Sequence, residues 1–412
     1  MARFRRKSCV ALLALVLLVL IVTVALKSIA PEDMPFTDGK EPSLQRKADV
    51  EGTTVRLERP GISEAALSGE DGKLAAALSK FPPPNYFLHA FYYIWYGNPS
   101  FDSKYIHWDH PQLPHWDPKV AERYPQDRHS PPNDIGANFY PALGAYSSRD
   151  PAVMEAHMQQ LRTAAIGVVA VSWYPPRTKD DNGEPVDDIV PLLLDVAQRY
   201  NIKVAFHIEP YKGRDEVNMY ANIKYIIDNY GEHPAFFRYR TDTESGSIRD
   251  TPYDAIFLAL LVEERQQREV VSAGFDGVYT YFATNGFTYG ATLRNWHAVR
   301  AFCDDNGLLF VPSVGPGYVD TSVRPWNFQN TRNRINAKYY EASLSAALEA
   351  KPDLVSVTSF NEWHEGTQIE MAVPKSGPTL YLDYLPNKPA IYLEITRKWA
   401  AIFDSERRRR RE

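Results

Sequence analysis

The chain has 412 residues, with 46 Lys and Arg against 51 Asp and Glu and a formal net charge of −5. That balance excludes the broad basic surface that nucleic-acid binding needs. Two cysteines, Cys9 in an apolar N-terminal run and Cys303 far from it, exclude an internal disulfide framework in the folded part.

Arg3, Arg5, Arg6 and Lys7 precede an apolar run from Cys9 to Leu26, and Lys27 follows it. About 18 residues are close to the minimum that spans a bilayer, and the flanking charge keeps the N-terminus cytosolic. The competing reading is a cleaved signal peptide. Its apolar core would be about 7–15 residues with a small-x-small site behind it, and Leu26-Lys27-Ser28-Ile29-Ala30 offers a poor one. The expected layout is a cytosolic tail at 1–8, a signal anchor at 9–26, a luminal stem at 27–80, a globular domain at 81–405 and a basic tail at 406–412. A short span suits the thin membranes of the early secretory route.

From Pro82 onward, strands alternate with helical segments. The strands are expected over Phe87–Tyr93, Gly167–Trp173, Lys203–Ile208, Ala255–Val262, Phe275–Phe282, Leu308–Ser313 and Leu354–Ser359. They are short runs rich in β-branched and aromatic residues. The helices are expected over Pro151–Ala164, Ile189–Tyr200, Asp215–Tyr230, Glu263–Ala273, a segment through Trp296 and Phe302, Ile335–Ala350 and Pro389–Phe403. Asp150 before Pro151 is an N-cap followed by proline at the first helical position. Such alternation implies a parallel sheet with right-handed crossovers. Seven strands are clear, and a closed barrel of this class wants eight. Either Phe236–Arg240 supplies a short eighth strand, or the barrel is incomplete around residues 240–250.

In such a fold the C-terminal strand ends converge on one face. Those ends carry Tyr93 and Trp95, Trp173 and Tyr174, His207 and Glu209, Tyr281, and the run Ser359-Phe360-Asn361-Glu362-Trp363-His364-Glu365-Gly366. Glu362 and Glu365 are paired carboxylates beside Trp363, the equipment of glycosidic bond cleavage. Taken singly, Tyr93 or Trp173 reads equally as core. The stretch from Tyr318 to Asn333, with Trp326, reads as the lining of a polar cleft or as a hydrogen-bonded surface loop. His364-Glu365 lacks the second His of a zinc-protease helix, and His107, His110 and His115 are unevenly spaced, so no metal site is expected. No nucleophile elbow, phosphate loop or dinucleotide fingerprint is present.

Taken together, Phe91-Tyr92-Tyr93-Ile94-Trp95-Tyr96-Gly97, Val171-Ser172-Trp173-Tyr174-Pro175-Pro176, Phe206-His207-Ile208-Glu209-Pro210-Tyr211, Pro312-Ser313-Val314-Gly315-Pro316-Gly317-Tyr318 and the Asn-Glu-Trp-His-Glu-Gly motif closely resemble glycoside hydrolase family 99, the endo-α-1,2-mannosidases of the Golgi and their endomannosidase-like paralogues. The resemblance implies a (β/α)8 TIM-type barrel and a retaining endo-glycosidase without metal or organic cofactor. Its partners would be glucosylated high-mannose N-glycans, cut to release glucosyl-mannose, and the membrane holding the single N-terminal helix. The resemblance makes Glu365 the acid/base and Glu362 the base that acts on the sugar 2-hydroxyl. Tyr93, Trp95, Trp173, Tyr174, His207, Glu209, Tyr281, Trp326, Asn361 and Trp363 would contact substrate. It also implies a Golgi type II protein with a luminal catalytic domain. Relative to the family pattern the chain is about thirty residues shorter between Arg240 and Ser247, and the lost part includes a strand, leaving its neighbours' ladder groups unpaired. Two readings therefore stand: an active endo-mannosidase, or a catalytically impaired glycan-binding paralogue or splice form.

Overall fold

The computed structural model of the chain describes residues 76, 78–239, 251–377 and 379–410. The expected tail and anchor at 1–26, and nearly all of the stem, lie outside them. Among the described residues, no helix is long and apolar enough to cross a membrane.

Strand segments β1 (Asn85–Tyr92), β2 (Ile166–Trp173), β3 (Lys203–Ile208), β4 (Leu258–Leu260), β5 (Gly277–Tyr279), β6 (Leu309–Val311), β7 (Ser313–Val314) and β8 (Val355–Val357) are all parallel. They form two sheets, ordered β3-β2-β1-β8-β7 and β4-β5-β6. β6 and β7 are one run of chain interrupted at Pro312, which has no N–H to give to a ladder. Pro312 O accepts instead from Ser356 N at 3.1 Å. Because β6 pairs with β5 while β7 pairs with β8, this run joins the sheets into one curved wall.

Among the described residues the wall has seven staves, β4-β5-β6/β7-β8-β1-β2-β3, matching the seven clear strands of the sequence. Between β3 and β4, among the described residues, Phe236 makes a single parallel bridge to Val204. Val204 N donates to Ala235 O at 2.7 Å and Phe237 N to Val204 O at 2.8 Å. The expected short strand at Phe236–Arg240 is thus reduced to one bridge, and residues 240–250 lie outside the described part.

Helices α1 (Pro99–Asp102) and α2 (Pro118–Ala121) punctuate the long loop after β1, and α3 (Pro151–Thr163) leads into β2. Around the wall follow α4 (Val190–Arg199), α5 (Glu216–Tyr230), α6 (Gln266–Ser272), α7 (Trp296–Asn306), α8 (Lys338–Glu349) and α9 (Ile391–Arg409). Asp150 caps α3 by accepting from Ala152 N at 2.8 Å, which satisfies one of the free N–H groups of the first turn. Asp215 and Asn218 form a reciprocal capping box on α5. The helix expected from Glu263 begins later, at Gln266. The side-chain oxygen of Gln266 accepts from Val262 N and Glu263 N and holds those residues as a turn.

The C-terminus corrects the sequence reading. α9 runs on through Glu406–Arg409, so the basic run begins as helix and not as a loose tail. Three arginines in its last turn oppose the negative end of the helix dipole, and Arg407 lies over the Phe87 ring.

Much of the aromatic content is core. Trp108, Trp173, Trp296 and Trp363 are fully enclosed, which is half of the eight tryptophans. Gly167 is where β2 comes closest to β1. A Cβ there would lie 2.6 Å from the backbone C and O of Asn85. Backbone cannot swing aside as a side-chain tip can, so Gly167→Ala is expected to cost about 1–3 kcal/mol, read as a lowered thermal midpoint.

Candidate active site

Beyond β8 the chain turns through the run that carries both paired glutamates, and neighbouring strand ends stitch it down. Thr358 N donates to Val314 O and Phe360 N to Phe91 O, each at 2.8 Å. Where β1 has ended, the Asn361 side chain replaces its ladder: Nδ2 donates to Tyr93 O and Oδ1 accepts from Tyr93 N, both at 2.8 Å. Ser359 Oγ accepts from Glu362 N at 2.7 Å. The turn that follows aims the N–H groups of His364 and Glu365 at the Glu362 carboxyl.

Three further groups fix this loop. Glu370 Oε2 accepts from Tyr146 Oη and from Trp363 Nε1, each at 2.9 Å, and Oε1 lies 3.2 Å from His157 Nε2. Arg334 Nη2 donates to Gly366 O at 2.9 Å and Gln368 O at 2.8 Å. Its guanidinium sits within 5.0 Å of the rings of Phe139, Tyr384 and Tyr392, a cation held by aromatic faces. Val319 N donates to Glu365 O at 2.8 Å.

Electrostatics follow from this placement. Glu362 is buried, and Oε2 has no hydrogen-bond partner among the described residues. Glu365 keeps part of its surface on the cleft. Burial pushes Glu365 up to about 7, opposed by the Arg324 guanidinium. Burial, then the Glu365 charge, raises Glu362 well above the ordinary carboxylate range. Each carboxyl is costly to ionise beside the other, so the pair gives up its two protons one after the other and at higher pH than free carboxyls do. One member is then an acid and the other a base.

Both glutamates line a cleft of about 1380 Å³. Tyr93, Trp95, Tyr174, His207, Glu209 and Tyr281 line it with them, six of the ten side chains expected to meet substrate. Tyr93 and Tyr281 share a hydrogen bond at 2.5 Å. Glu209 Oε1 accepts from Ser172 Oγ at 2.8 Å and lies 3.1 Å from His207 Nδ1, while His207 Nε2 meets Tyr279 Oη at 2.9 Å. The floor of the cleft descends past Phe91, Ala170 and Ala205 into the barrel and out past Phe236 and Leu258, following the missing stave. A typical ligand pocket is about 300–1,000 Å³, and the open seam accounts for the excess.

Four expected contacts sit elsewhere. Trp363 and Trp173 are enclosed and present no face to a sugar. Trp363 Nε1 is used on Glu370, and Trp173 Nε1 donates to Asp187 Oδ1 at 2.8 Å. Asn361 is buried as the Tyr93 clamp, and Trp326 lies outside the cleft lining. In an alternating pattern a strand-end tryptophan can point either way, and here both turn into the core.

Arg324, Arg334 and Glu370 were not singled out from sequence. Arg324 stood inside the polar stretch read as a cleft lining, and that lining is where it is found. Arg334 lay one residue beyond that stretch, and Glu370 had no signal, because two of its partners, Tyr146 and His157, are over 200 residues away in sequence. His364 is held neutral, well below the usual imidazole range, by burial and by His110 and His107. The three rings gather, but their nitrogens meet protein groups: His364 Nδ1 lies 2.6 Å from Gly136 O, His110 Nε2 3.0 Å from Asn182 Nδ2, and His107 Nε2 3.1 Å from Asp180 Oδ2. No cluster suited to a metal ion occurs among the described residues.

The sequence model of Glycosyl hydrolase family 99 matches residues 83–243 and 241–405, two segments that meet where the chain is short. Glycoprotein endo-alpha-1,2-mannosidase of Mus musculus is 52% identical, covering 99% of this chain and 97% of that protein. The aligned span is 454 positions, longer than the chain itself, so gaps open on this side. Glycoprotein endo-alpha-1,2-mannosidase-like protein of Mus musculus is 51% identical, covering 99% of both. The solved GH99 endo-alpha-mannosidase of Bacteroides thetaiotaomicron superposes with a TM-score of 0.71 at 40% identity, covering 78% of this chain and 98% of that one.

The raised carboxyls make stability depend on pH with a defined sign. Their proton-bound forms favour the folded state, so this contribution is full below the unfolded carboxylate value near 4.5; the Glu365 share is lost as pH rises through about 7, and the Glu362 share at higher pH. Glu365→Gln mimics the protonated form. Its thermal midpoint is expected to match wild type near about pH 5 and to exceed it near about pH 8, measured by melts across that range.

Proposed function

The chain belongs to glycosyl hydrolase family 99, and on that premise we propose that it is an endo-acting retaining α-1,2-mannosidase. Its substrates are glucosylated high-mannose N-glycans and its released product is glucosyl-mannose. The observation that carries this reading is the placement of Glu362 and Glu365 together at the strand-end face of a barrel, in a cleft lined by aromatic and polar side chains.

The chemistry follows from the two environments. Glu362 presents a buried, unpartnered Oε2 at the cleft, and an incoming sugar hydroxyl satisfies it. Glu362 takes the proton of the 2-hydroxyl as O2 closes onto C1. The C1–O bond to the leaving sugar breaks, and Glu365 gives its proton to that oxygen. In an α-mannoside the axial 2-hydroxyl is anti to the leaving group, so the attack is in line. In the second half Glu365 takes a proton from water, water attacks C1, the C1–O2 bond opens, and Glu362 returns its proton to O2. Two inversions give net retention, without the carboxylate–sugar ester of ordinary retaining enzymes. Glu362 and Glu365 are the reacting groups. Tyr93, Tyr281, His207 and Glu209 are placed to orient the sugars.

The run at Cys9–Leu26, with Arg3, Arg5, Arg6 and Lys7 before it, supports a single-pass anchor with the barrel on the luminal side of a Golgi membrane. The domain layout stands with it: tail 1–8, anchor 9–26, stem 27–80 and barrel from 81. The open seam between β3 and β4 favours a second reading, a glycan-binding relative with impaired catalysis.

Incubation of the full chain in detergent with a monoglucosylated high-mannose glycan, with products weighed by mass spectrometry, separates the two. The enzyme reading expects a released hexose disaccharide, lost by about 10³-fold or more in Glu365→Gln, a loss on the scale of a removed general acid–base group. An intact glycan after prolonged incubation with a protein that melts cooperatively would assign the second reading.

A further inference from the structure

Trp116 lies in the loop after β1, at the start of α2, and its side chain is 78% exposed. An indole this open is costly to leave in water. The ring is nonetheless fixed. It lies edge-to-face on Trp326 with centroids 5.2 Å apart and planes at 86°, and against His115 at 3.7 Å and 31°. His115 meets Trp326 at 4.8 Å and 88°. Asp117 N donates to His115 Nδ1 at 2.9 Å, and Asp117 Oδ1 accepts from Lys119 N at 2.9 Å as the cap of α2. The result is a flat apolar face with imidazole, carboxylate and ammonium groups close by in the chain.

This ledge is continuous with the cleft. Trp326 Nε1 donates to Leu113 O at 2.9 Å, and Leu113 N donates to Val323 O at 2.7 Å. Leu113, Val323 and Arg324 all line the cleft. The segment that carries Trp326 is also tied to the reactive loop: Val319 N donates to the backbone O of Glu365, and the Arg324 guanidinium opposes the raised carboxyls of both Glu365 and Glu362. His129 Nε2, 2.9 Å from Ser322 O, and Asn138 Oδ1, which accepts from Ser322 N at 3.0 Å, hold that segment still. A general acid stands beside the leaving oxygen, and the backbone bond from Val319 to Glu365 puts the Trp326 segment on the Glu365 side of the pair.

We propose that Trp116, seated on Trp326 and His115, is an outer carbohydrate platform that takes a hexose of the leaving-group arm. The proposal rests on the endo-glycosidase reading for its direction along the substrate. Its chemistry is the stacking of a sugar's C–H face on an indole. A platform held in advance loses little freedom on binding, which is why an exposed tryptophan is clamped here on two rings.

The test compares wild type, Trp116→Ala and Trp116→Phe, since an exposed position tolerates both changes without unfolding. The first readout needs no turnover: titration of a free high-mannose oligosaccharide lacking glucose, followed by calorimetry or ligand-observed NMR. Trp116→Ala is expected to weaken binding about 3- to 10-fold, and Trp116→Phe to restore part of it. Equal affinity for all three proteins overturns the platform. The second readout is the ratio of kcat/KM on a long glucosylated glycan to that on a short one with no arm beyond the first departing mannose. A drop of the same size in Trp116→Ala supports the platform on the leaving-group side, and an unchanged ratio removes it from that side. Failure of wild type to cleave either glycan counts against the enzyme reading, and the binding comparison still decides the platform.

Discussion

Two carboxyls held three residues apart in one buried loop cannot both ionise at little cost, and much of the surrounding structure serves to keep them there. Desolvation raises Glu362 and Glu365 alike. An isolated loop would relieve that cost by opening to water. This one is prevented by Asn361 on the β1 terminus, Glu370 beneath Trp363, and Arg334 on the carbonyls of Gly366 and Gln368. Each of these groups is itself buried, Asn361 and Glu370 with hydrogen-bond partners and Arg334 among three aromatic rings with Nη2 on the two carbonyls, so the loop is braced by interactions that are expensive to break singly. The strand ends supply the rest, because a parallel barrel delivers β1, β7 and β8 to the same rim.

Much of this was legible in the sequence, and the reasons differ by element. β3 and the start of α3 were read to within a residue, since a short β-branched run and an Asp-Pro cap are local signals. β4 and β5 are three residues each, shorter than the apolar runs suggested. Ladder pairing and not hydrophobicity sets their length: the chain leaves β5 at once to place Tyr281 with a φ of 50° beside Tyr93. Glu362 and Glu365 could be found because motif and strand end coincide. Whether Trp173 and Trp363 faced sugar or core could not be, because that depends on the polar partner each indole meets only in the fold, Asp187 and Glu370, and no spacing in the sequence marks those contacts. Arg334 and Glu370 escaped for the same reason.

Between β3 and β4 the described residues supply one bridge and no full stave, the main departure from a closed barrel. On this side the cleft lining extends to Phe236 and Leu258, yet the reactive loop draws its supports from β1, β7, β8, α3 and the segment between β7 and α8, on other parts of the wall. His207 and Glu209, at the end of β3, are the site residues nearest the gap. The physical consequence is an asymmetric site, braced around the carboxyl pair and less enclosed on the β3 side.

The central claim is that Glu362 and Glu365 work as a pair sharing one proton. The measurement that tests it most directly is kcat/KM against pH on a glucosylated high-mannose glycan. The expected profile is a bell whose acid limb rises as the first proton leaves the pair at about pH 7 and whose alkaline limb falls at higher pH as the second leaves, with that shape lost in Glu365→Gln along with the rate. A rate that stays flat through the neutral and alkaline range, or a limb that survives replacement of both glutamates, would contradict it.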